Sequence, residues 1–230
     1  ISFIYRAFTP MRNLFFIILL CSCHLTKEQK LFYELGRKKH EIIGAVCESS
    51  EFLSKEMVKN INYNDTGKNY LEVGAGTGSF SSQLVENKLN PNSTLDIVEI
   101  EPELCEILRK KFATNPNVNV ICSSILDWKP NKKYDVIISG LPFNSFDPGF
   151  VDSILNHYET LANEDSELCF FEYVLIPTFK KFFSSGKQVS DVVSKFVSSH
   201  ESESSIVFLN TPPARVIKLK FPSSYLVVQS

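Results

Sequence analysis

Strong charge of either sign is missing from this chain: 24 Lys and Arg stand against 26 Asp and Glu, a net charge of −2 over 230 residues. No whole-molecule field therefore draws the protein onto RNA or DNA, and any such pull must come from a local basic patch. CxxC pairs and histidines at ligand spacing are also missing, so no metal is expected. The six cysteines, Cys21, Cys23, Cys47, Cys105, Cys122 and Cys169, are scattered and read as reduced thiols, mostly packing residues. His24, His40, His157 and His200 lie outside the expected strand ends and receive no role. Internal repeats and low-complexity tracts are absent. The apolar run from Leu14 to Cys21 is too short to span a bilayer.

That run is nevertheless the first feature present. RNLFFIILLCSC has a positive flank and a cysteine-rich end, as short secretory signals do, and the first methionine is Met11. Two readings stay open: a lipoprotein-type signal, or an apolar helix that packs on the domain or lies on a membrane. Residues 1–48 are expected to form an apolar and amphipathic extension, and residues 49–230 a single domain. With 43% hydrophobic and 12% aromatic content, the chain can close one sizeable core.

From residue 70 onward short β-branched runs alternate with helical stretches, the pattern of a parallel sheet with helices on both faces. Strands are expected at NYLEVG (69–74), STLDIVEIE (93–101), VNVIC (118–122), YDVIISG (134–140) and SELCFFEYVLI (166–176). Helices are expected at 79–89, from Pro102 onward, near 149–161, and from Thr178 to about Ser198. The chain then changes character. SSIVFLN and ARVIKLKF are strands joined only by TPP, too short for a crossover helix, so they must pair antiparallel.

YLEVGAGTG (70–78) places Gly74, Gly76 and Gly78 directly after the first strand, where backbone must approach a ligand closely. The following helix offers free N–H groups and a positive end. Glu72 precedes this turn. A carboxylate there repels a pyrophosphate but suits an ammonium group, such as the methionine end of S-adenosylmethionine. Glu99, at the end of strand two, is placed to accept both ribose hydroxyls. Glu101 lies beside it, with a solvated strand end as the equal alternative.

With these residues and the terminal hairpin in hand, roughly residues 49–221 resemble the class I S-adenosylmethionine-dependent methyltransferases. The resemblance implies a Rossmann-like α/β fold with a seven-stranded, mostly parallel sheet. It implies S-adenosyl-L-methionine across the carboxyl ends of strands one, two and four. Glu72, Gly74, Ala75, Gly76 and Gly78 would hold the methionine part, Glu99 the ribose, and Ile100 the adenine. Ser124 and Ile125 fall where the family often has an acid and an apolar neighbour beside the adenine, and Ser124 departs from that pattern. Ser139 and Gly140 complete the cofactor wall.

The acceptor must be read from SGLPFNSFDP (139–148). Adenine N6-methyltransferases carry NPPY or NLPY there. This chain has GLPF, in which Gly140 supplies no side-chain acceptor although Phe143 could stack a base. Three stretches together, IIGAVCESSEFLSKEMV (42–58), SGLP and LNTPPARV (209–216), look like the bacterial phospholipid N-methyltransferases that act on phosphatidylethanolamine. Cys47 and Glu48 replace the proline region usual there. That family is similar to the ribosomal RNA adenine dimethyltransferases, so an rRNA acceptor is the alternative, and a non-catalytic partner-binding module the third.

A lipid acceptor implies a membrane surface, and an enzyme peripheral to the cytoplasmic side of the inner membrane. Leu31, Phe32, Leu35 and Ile42 lie among Lys27, Lys30, Arg37, Lys38, Lys39 and His40, which suits anionic headgroups or a solvated helix face equally. FKKFFSSGKQVSDVVSKFV (179–197) either lines an acyl groove or is an apolar helix over strands. Tyr173 is the expected substrate-facing residue, with Pro142 and Phe143 shaping the pocket and Glu172 or Asp147 accepting a proton. Asp135 reads as a strand-start residue.

Overall fold

The computed structural model describes residues 50–62, 65–87, 89–174, 184–210 and 212–222, the side chains of residues 145 and 184–187 excepted. The 1–48 extension with its basic cluster, Cys21, Cys23, Cys47, His24, His40 and residues 178–183 lie outside the described residues.

In chain order the elements are α1 (Glu51–Val58), β1 (Asn69–Val73), α2 (Ser79–Glu86), β2 (Thr94–Glu99), α3 (Pro102–Lys111), β3 (Val118–Cys122) and β4 (Tyr134–Ser139). A 3-10 turn (Phe143–Ser145), α4 (Pro148–Leu161), β5 (Ala162–Tyr173), α5 (Ser184–Ser198), β6 (Glu201–Val207) and β7 (Ala214–Lys220) follow. The seven strands form one sheet in the order β3-β2-β1-β4-β5-β7-β6. The five strands from β3 to β5 pair parallel. The last two are antiparallel, β7 against β5 and β6 against β7, as the short TPP connection required.

Alternation along each strand divides the core between the two faces. On one face Leu71, Val73, Ile137, Leu168, Phe170 and Ile217 pack against Val151, Ile154 and Tyr158 of α4 and Val189 and Val193 of α5. On the other, Tyr70, Ile97, Ile138, Phe171 and Val216 meet Leu53 and Met57 of α1, Phe80 and Leu84 of α2, and Leu108 of α3. Burial on both faces explains why the central strands read as apolar runs rather than as alternating patterns. Pro102 sits in the first turn of α3, and Ser50 and Asp147 cap α1 and α4 through their side chains.

Parallel pairing turns the ends of β1, β2, β4 and β5 toward one edge of the sheet. The β6–β7 turn lies at this same edge, because Tyr173 at the end of β5 pairs with Ala214 at the start of β7. The opposite edge is polar, with Asp135 accepting from Asn69 N (2.8 Å) and ion-paired with Lys68 (3.6 Å), as a strand-start residue should.

Two sequence expectations change here. Cys105 on α3 and Cys122 at the end of β3 form a disulfide with Cα atoms 5.8 Å apart, so these two are not packing thiols. Helix–strand packing brings them together across 17 residues, with no local motif to announce it. Cys169 does keep a free thiol, buried in the core. Glu101 is not a solvated strand end: it is buried, and its carbonyl accepts the Cys105 N–H (3.0 Å) as α3 begins.

Candidate functional site

The turn after β1 is built on left-handed backbone. Gly74, Gly76 and Gly78 have φ of 69°, 59° and 83°, conformations that L side chains rarely adopt. Two of these glycines also answer to packing. A Cβ on Gly74 would lie 2.6 Å from Leu141 Cδ2, and a Cβ on Gly140 would lie 2.5 Å from the Gly74 carbonyl. The turns leaving β1 and β4 therefore touch. Gly78 serves a different need, since a Cβ there would meet Leu108 Cδ2 of α3 at 2.8 Å. Its requirement comes from helix packing.

Two acids meet at this turn. Glu72 is fully buried, and its Oε2 accepts the Ser81 hydroxyl from the first turn of α2. Its Oε1 has no hydrogen-bond partner. Burial first, then repulsion from Glu99, push the Glu72 pKa up to about 8, although Ser81 and Lys111 pull the other way. Lys111 is held against the back of the turn, its Nζ donating to the Thr77 carbonyl (2.9 Å). Glu99 Oε2 accepts from Gly76 N (2.9 Å), and its Oε1 from Ile100 N (2.8 Å) and Glu101 N (3.1 Å). Burial raises the Glu99 pKa despite these three donors.

A pair of buried acids with an orphaned oxygen resists ionising alone, and the group that fits it carries the positive charge that would let it ionise. The acceptor set suits a ligand that donates from an ammonium at Glu72 and from hydroxyls at Glu99, whose Oε2 keeps one lone pair free of the described N–H groups. Ile100, half-exposed just past Glu99, offers an apolar face beside them.

The other expected residues fall as follows. Ala75 is buried within the turn. Ser124 is half-buried, its carbonyl accepting from Ser123 Oγ (3.1 Å). Ile125 packs into the core beside Val98. Ser139 is buried and its Oγ accepts from the Tyr158 hydroxyl (2.9 Å), which burial keeps protonated by raising its pKa. Gly140 N donates to the Val73 carbonyl (2.8 Å).

Several acceptor-side expectations fail. Phe143 is 1% exposed and packs on Phe170 with ring centroids 5.4 Å apart, so it is a core residue that cannot stack a base. Pro142 is buried with it. Tyr173 is also largely buried, its ring edge-on to Phe171 at 5.3 Å, on the same face as Glu72. Glu172 is committed to Arg215 at 2.7 Å, and Asp147 caps α4 by accepting from Gly149 N (2.9 Å), so neither stands ready as a base. Sequence reasoning missed Ser81 and Lys111. The signal for Ser81 was its place in the first turn of the helix after the glycines, from which a hydroxyl reaches back to the strand.

Among the described residues no group of His, Cys, Asp and Glu could hold a metal ion. No described helix is long and apolar enough to cross a membrane.

Residues 71–164 match the family model described as "Methyltransferase domain". A malonyl-[acyl-carrier protein] O-methyltransferase of Ilyobacter polytropus is 35% identical over 102 residues, 44% of this chain and 37% of that protein. An ornithine lipid N-methyltransferase of Singulisphaera acidiphila is 29% identical over 123 residues, 50% of this chain and 63% of that one. An rRNA adenine N-6-methyltransferase of Limosilactobacillus reuteri is 33% identical over 90 residues, 39% of this chain and 35% of that one. The chain thus spans less than two thirds of the length of each of these relatives. Among solved structures, the N-methyltransferase NodS of Bradyrhizobium japonicum superposes with a TM-score of 0.58 at 12% identity, over 74% of this chain and 94% of that one. Its complex with S-adenosyl-L-homocysteine superposes at 0.56 and 11% identity, over 74% of this chain and 86% of that one.

Proposed function

We propose that this chain, which carries the class I methyltransferase fold, transfers methyl from S-adenosylmethionine to the amine of a phosphatidylethanolamine-type lipid at a membrane surface. The observation that carries the donor half is the buried, unpartnered Oε1 of Glu72 beside a left-handed glycine turn. Glu72, with the turn from Gly74 through Ala75 and Gly76 to Gly78, would hold the methionine part. Glu99 would hold the ribose through its remaining lone pair, with Ile100 and Ser124 bordering the adenine, Ile125 backing that wall from the core, and Ser139 and Gly140 closing the β4 side.

When bound, S-adenosylmethionine supplies a methyl carbon on a sulfonium, a leaving group that needs no acid. The protein's task is then positioning, which contributes most of the rate in such a transfer. Glu72 and Glu99 fix the two ends of the donor. The Gly74–Gly140 contact fixes the floor between β1 and β4. The acceptor amine must arrive without its proton, and its removal from water on entering the site would favour the neutral amine over the ammonium. With Glu172 and Asp147 otherwise engaged, desolvation rather than a dedicated base is the route this site supports. Tyr173, at the last position of β5 on the Glu72 face, would back the acceptor end from its largely buried position.

The lipid half draws support from the ornithine lipid N-methyltransferase relative and from the three phospholipid-enzyme-like stretches. An RNA acceptor draws support from the rRNA methyltransferase relative, but the burial of Phe143 removes the ring that would stack a base. The protein would work at the cytoplasmic face of the inner membrane, where a cytosolic donor reaches it. The test is incubation of the full chain with methyl-labelled donor and either phosphatidylethanolamine vesicles or unmodified ribosomal RNA. Label in the lipid is expected; label in RNA with none in lipid would overturn the reading.

A further inference from the structure

Large apolar side chains exposed to solvent are not scattered over this domain. Among the described residues, every one of them lies at the carboxyl edge of the sheet, the edge that carries the glycine turn. Phe208 and Leu209, 74% and 67% exposed, form the β6–β7 turn, and Ile206 immediately precedes it. Val174 follows the end of β5, Ile100 follows the end of β2, and Phe150 stands in the first turn of α4 after the β4 loop. Phe52 is in the first turn of α1, whose cap residue Ser50 donates its N–H to Asn210 Oδ1 (3.1 Å) in that same β6–β7 turn. The opposite edge is polar, with Asn69, Lys68, Asp135 and Asn163 joined by hydrogen bonds and an ion pair.

We propose that this edge is the membrane-docking face, and that the β6–β7 turn enters the headgroup layer with Phe208 and Leu209 as its anchors. Three observations favour a bilayer as the occupant. The apolar residues are separated by polar ones, such as the half-exposed Arg215 paired with Glu172, and a fluid interface accommodates separated anchors where a protein partner needs a contiguous packed patch. The exposed rings at this rim, Phe52, Phe150 and Phe208, are apolar side chains of the kind that interfacial elements bury at the headgroup boundary. Residues 1–49 join the domain at this edge through Ser50, and they carry the apolar run 14–21 and the basic residues Lys27, Lys30, Arg37, Lys38 and Lys39, which anionic lipid attracts. Docked this way, the site's mouth lies against the headgroups, and an acceptor lipid reaches it without leaving the bilayer. This last consequence rests on the proposed lipid acceptor; the docking itself does not.

The test uses the full chain and vesicles of phosphatidylglycerol and phosphatidylethanolamine in sedimentation. The double variant F208S/L209S should bind them at least about tenfold more weakly than the parent, since two apolar side chains no longer leave water. The same variant should methylate monomeric dihexanoyl phosphatidylethanolamine as the parent does, while losing activity on vesicle lipid. Equal vesicle binding by parent and variant would overturn the proposal. In F208W, indole emission should shift to the blue only when vesicles are added. Emission already blue-shifted without vesicles means that residues 1–49 or a second copy cover the turn, and also overturns it. Vesicle binding that depends on the turn, with no lipid methylated, would instead sink the lipid-acceptor reading and leave the docking face standing.

Discussion

Replacing Glu72 by Gln keeps the side chain's shape and a hydrogen-bonding oxygen or nitrogen beside Ser81, while removing the ionisable group from the core. Burial, then repulsion from Glu99, raise the pKa of Glu72 from 4.5 to about 8. Below pH 4.5 the folded and unfolded chains both hold the proton, and the stability this implies is fully present. Between 4.5 and about 8 the unfolded chain releases the proton while the folded chain keeps it, so stability falls as pH rises, by about 1.4 kcal/mol per pH unit. From pH 6 to pH 8 the ligand-free protein should lose about 2–3 kcal/mol through this one group. For a domain of this size that is about 5–10 °C in Tm. The assay is thermal unfolding of ligand-free parent and E72Q, followed by circular dichroism at pH 6, 7 and 8. Glu99 repels Glu72, so its own titration shifts in E72Q and contributes to the difference between the two profiles. E72Q should show the flatter profile and be the more stable protein at pH 8. Parallel profiles would refute the reasoning.

Other substitutions probe the remaining parts. G78A places a Cβ at a φ of 83° and 2.8 Å from Leu108 Cδ2, and should lower stability by roughly 2–3 kcal/mol, read from the urea midpoint. E99A removes the acceptor of three backbone N–H groups and the proposed ribose ligand. It should weaken binding of S-adenosylhomocysteine at least about tenfold, and unchanged affinity would exclude the role. The Cys105–Cys122 bond closes a loop of 17 residues, so adding a phosphine reductant, or substituting both by Ser, should lower stability by about 3 kcal/mol; an unaltered melt on reduction would mean the pair is not bonded in solution. In a reducing compartment the pair would be held as thiols, which makes the melt without reductant the informative one.

Much of the architecture is written in local pattern. The central parallel strands bury both faces and so appear as compact apolar runs, and the short connection before Ala214 forces the final hairpin. Boundaries were less legible where a strand begins in polar residues. β5 starts at Ala162 rather than at Ser166, through a stretch where Asp165 takes a φ of 55° and the register to β4 shifts. β6 starts at Glu201 rather than Ser204, because an edge strand can carry exposed Glu and Ser without an apolar face. Glu72 and Glu99 were legible as acids at strand ends, a position that strand length alone defines. Phe143 was not, since a ring in a loop faces either solvent or core according to what packs above it, here Phe170. Nor was the Cys105–Cys122 pair, which depends on how α3 settles against β3.

The central claim is that the buried acids at the glycine turn hold the ammonium and the ribose of a sulfur nucleoside. Its most direct test is calorimetric titration of S-adenosylhomocysteine into the full chain at pH 7, in two buffers of different ionisation enthalpy. An ammonium beside Glu72 would ionise a carboxyl that is mostly protonated in the free protein, so one molecule should bind with release of most of a proton, and E72Q should release markedly less. Binding without heat, or with the same proton balance in parent and E72Q, would contradict the account.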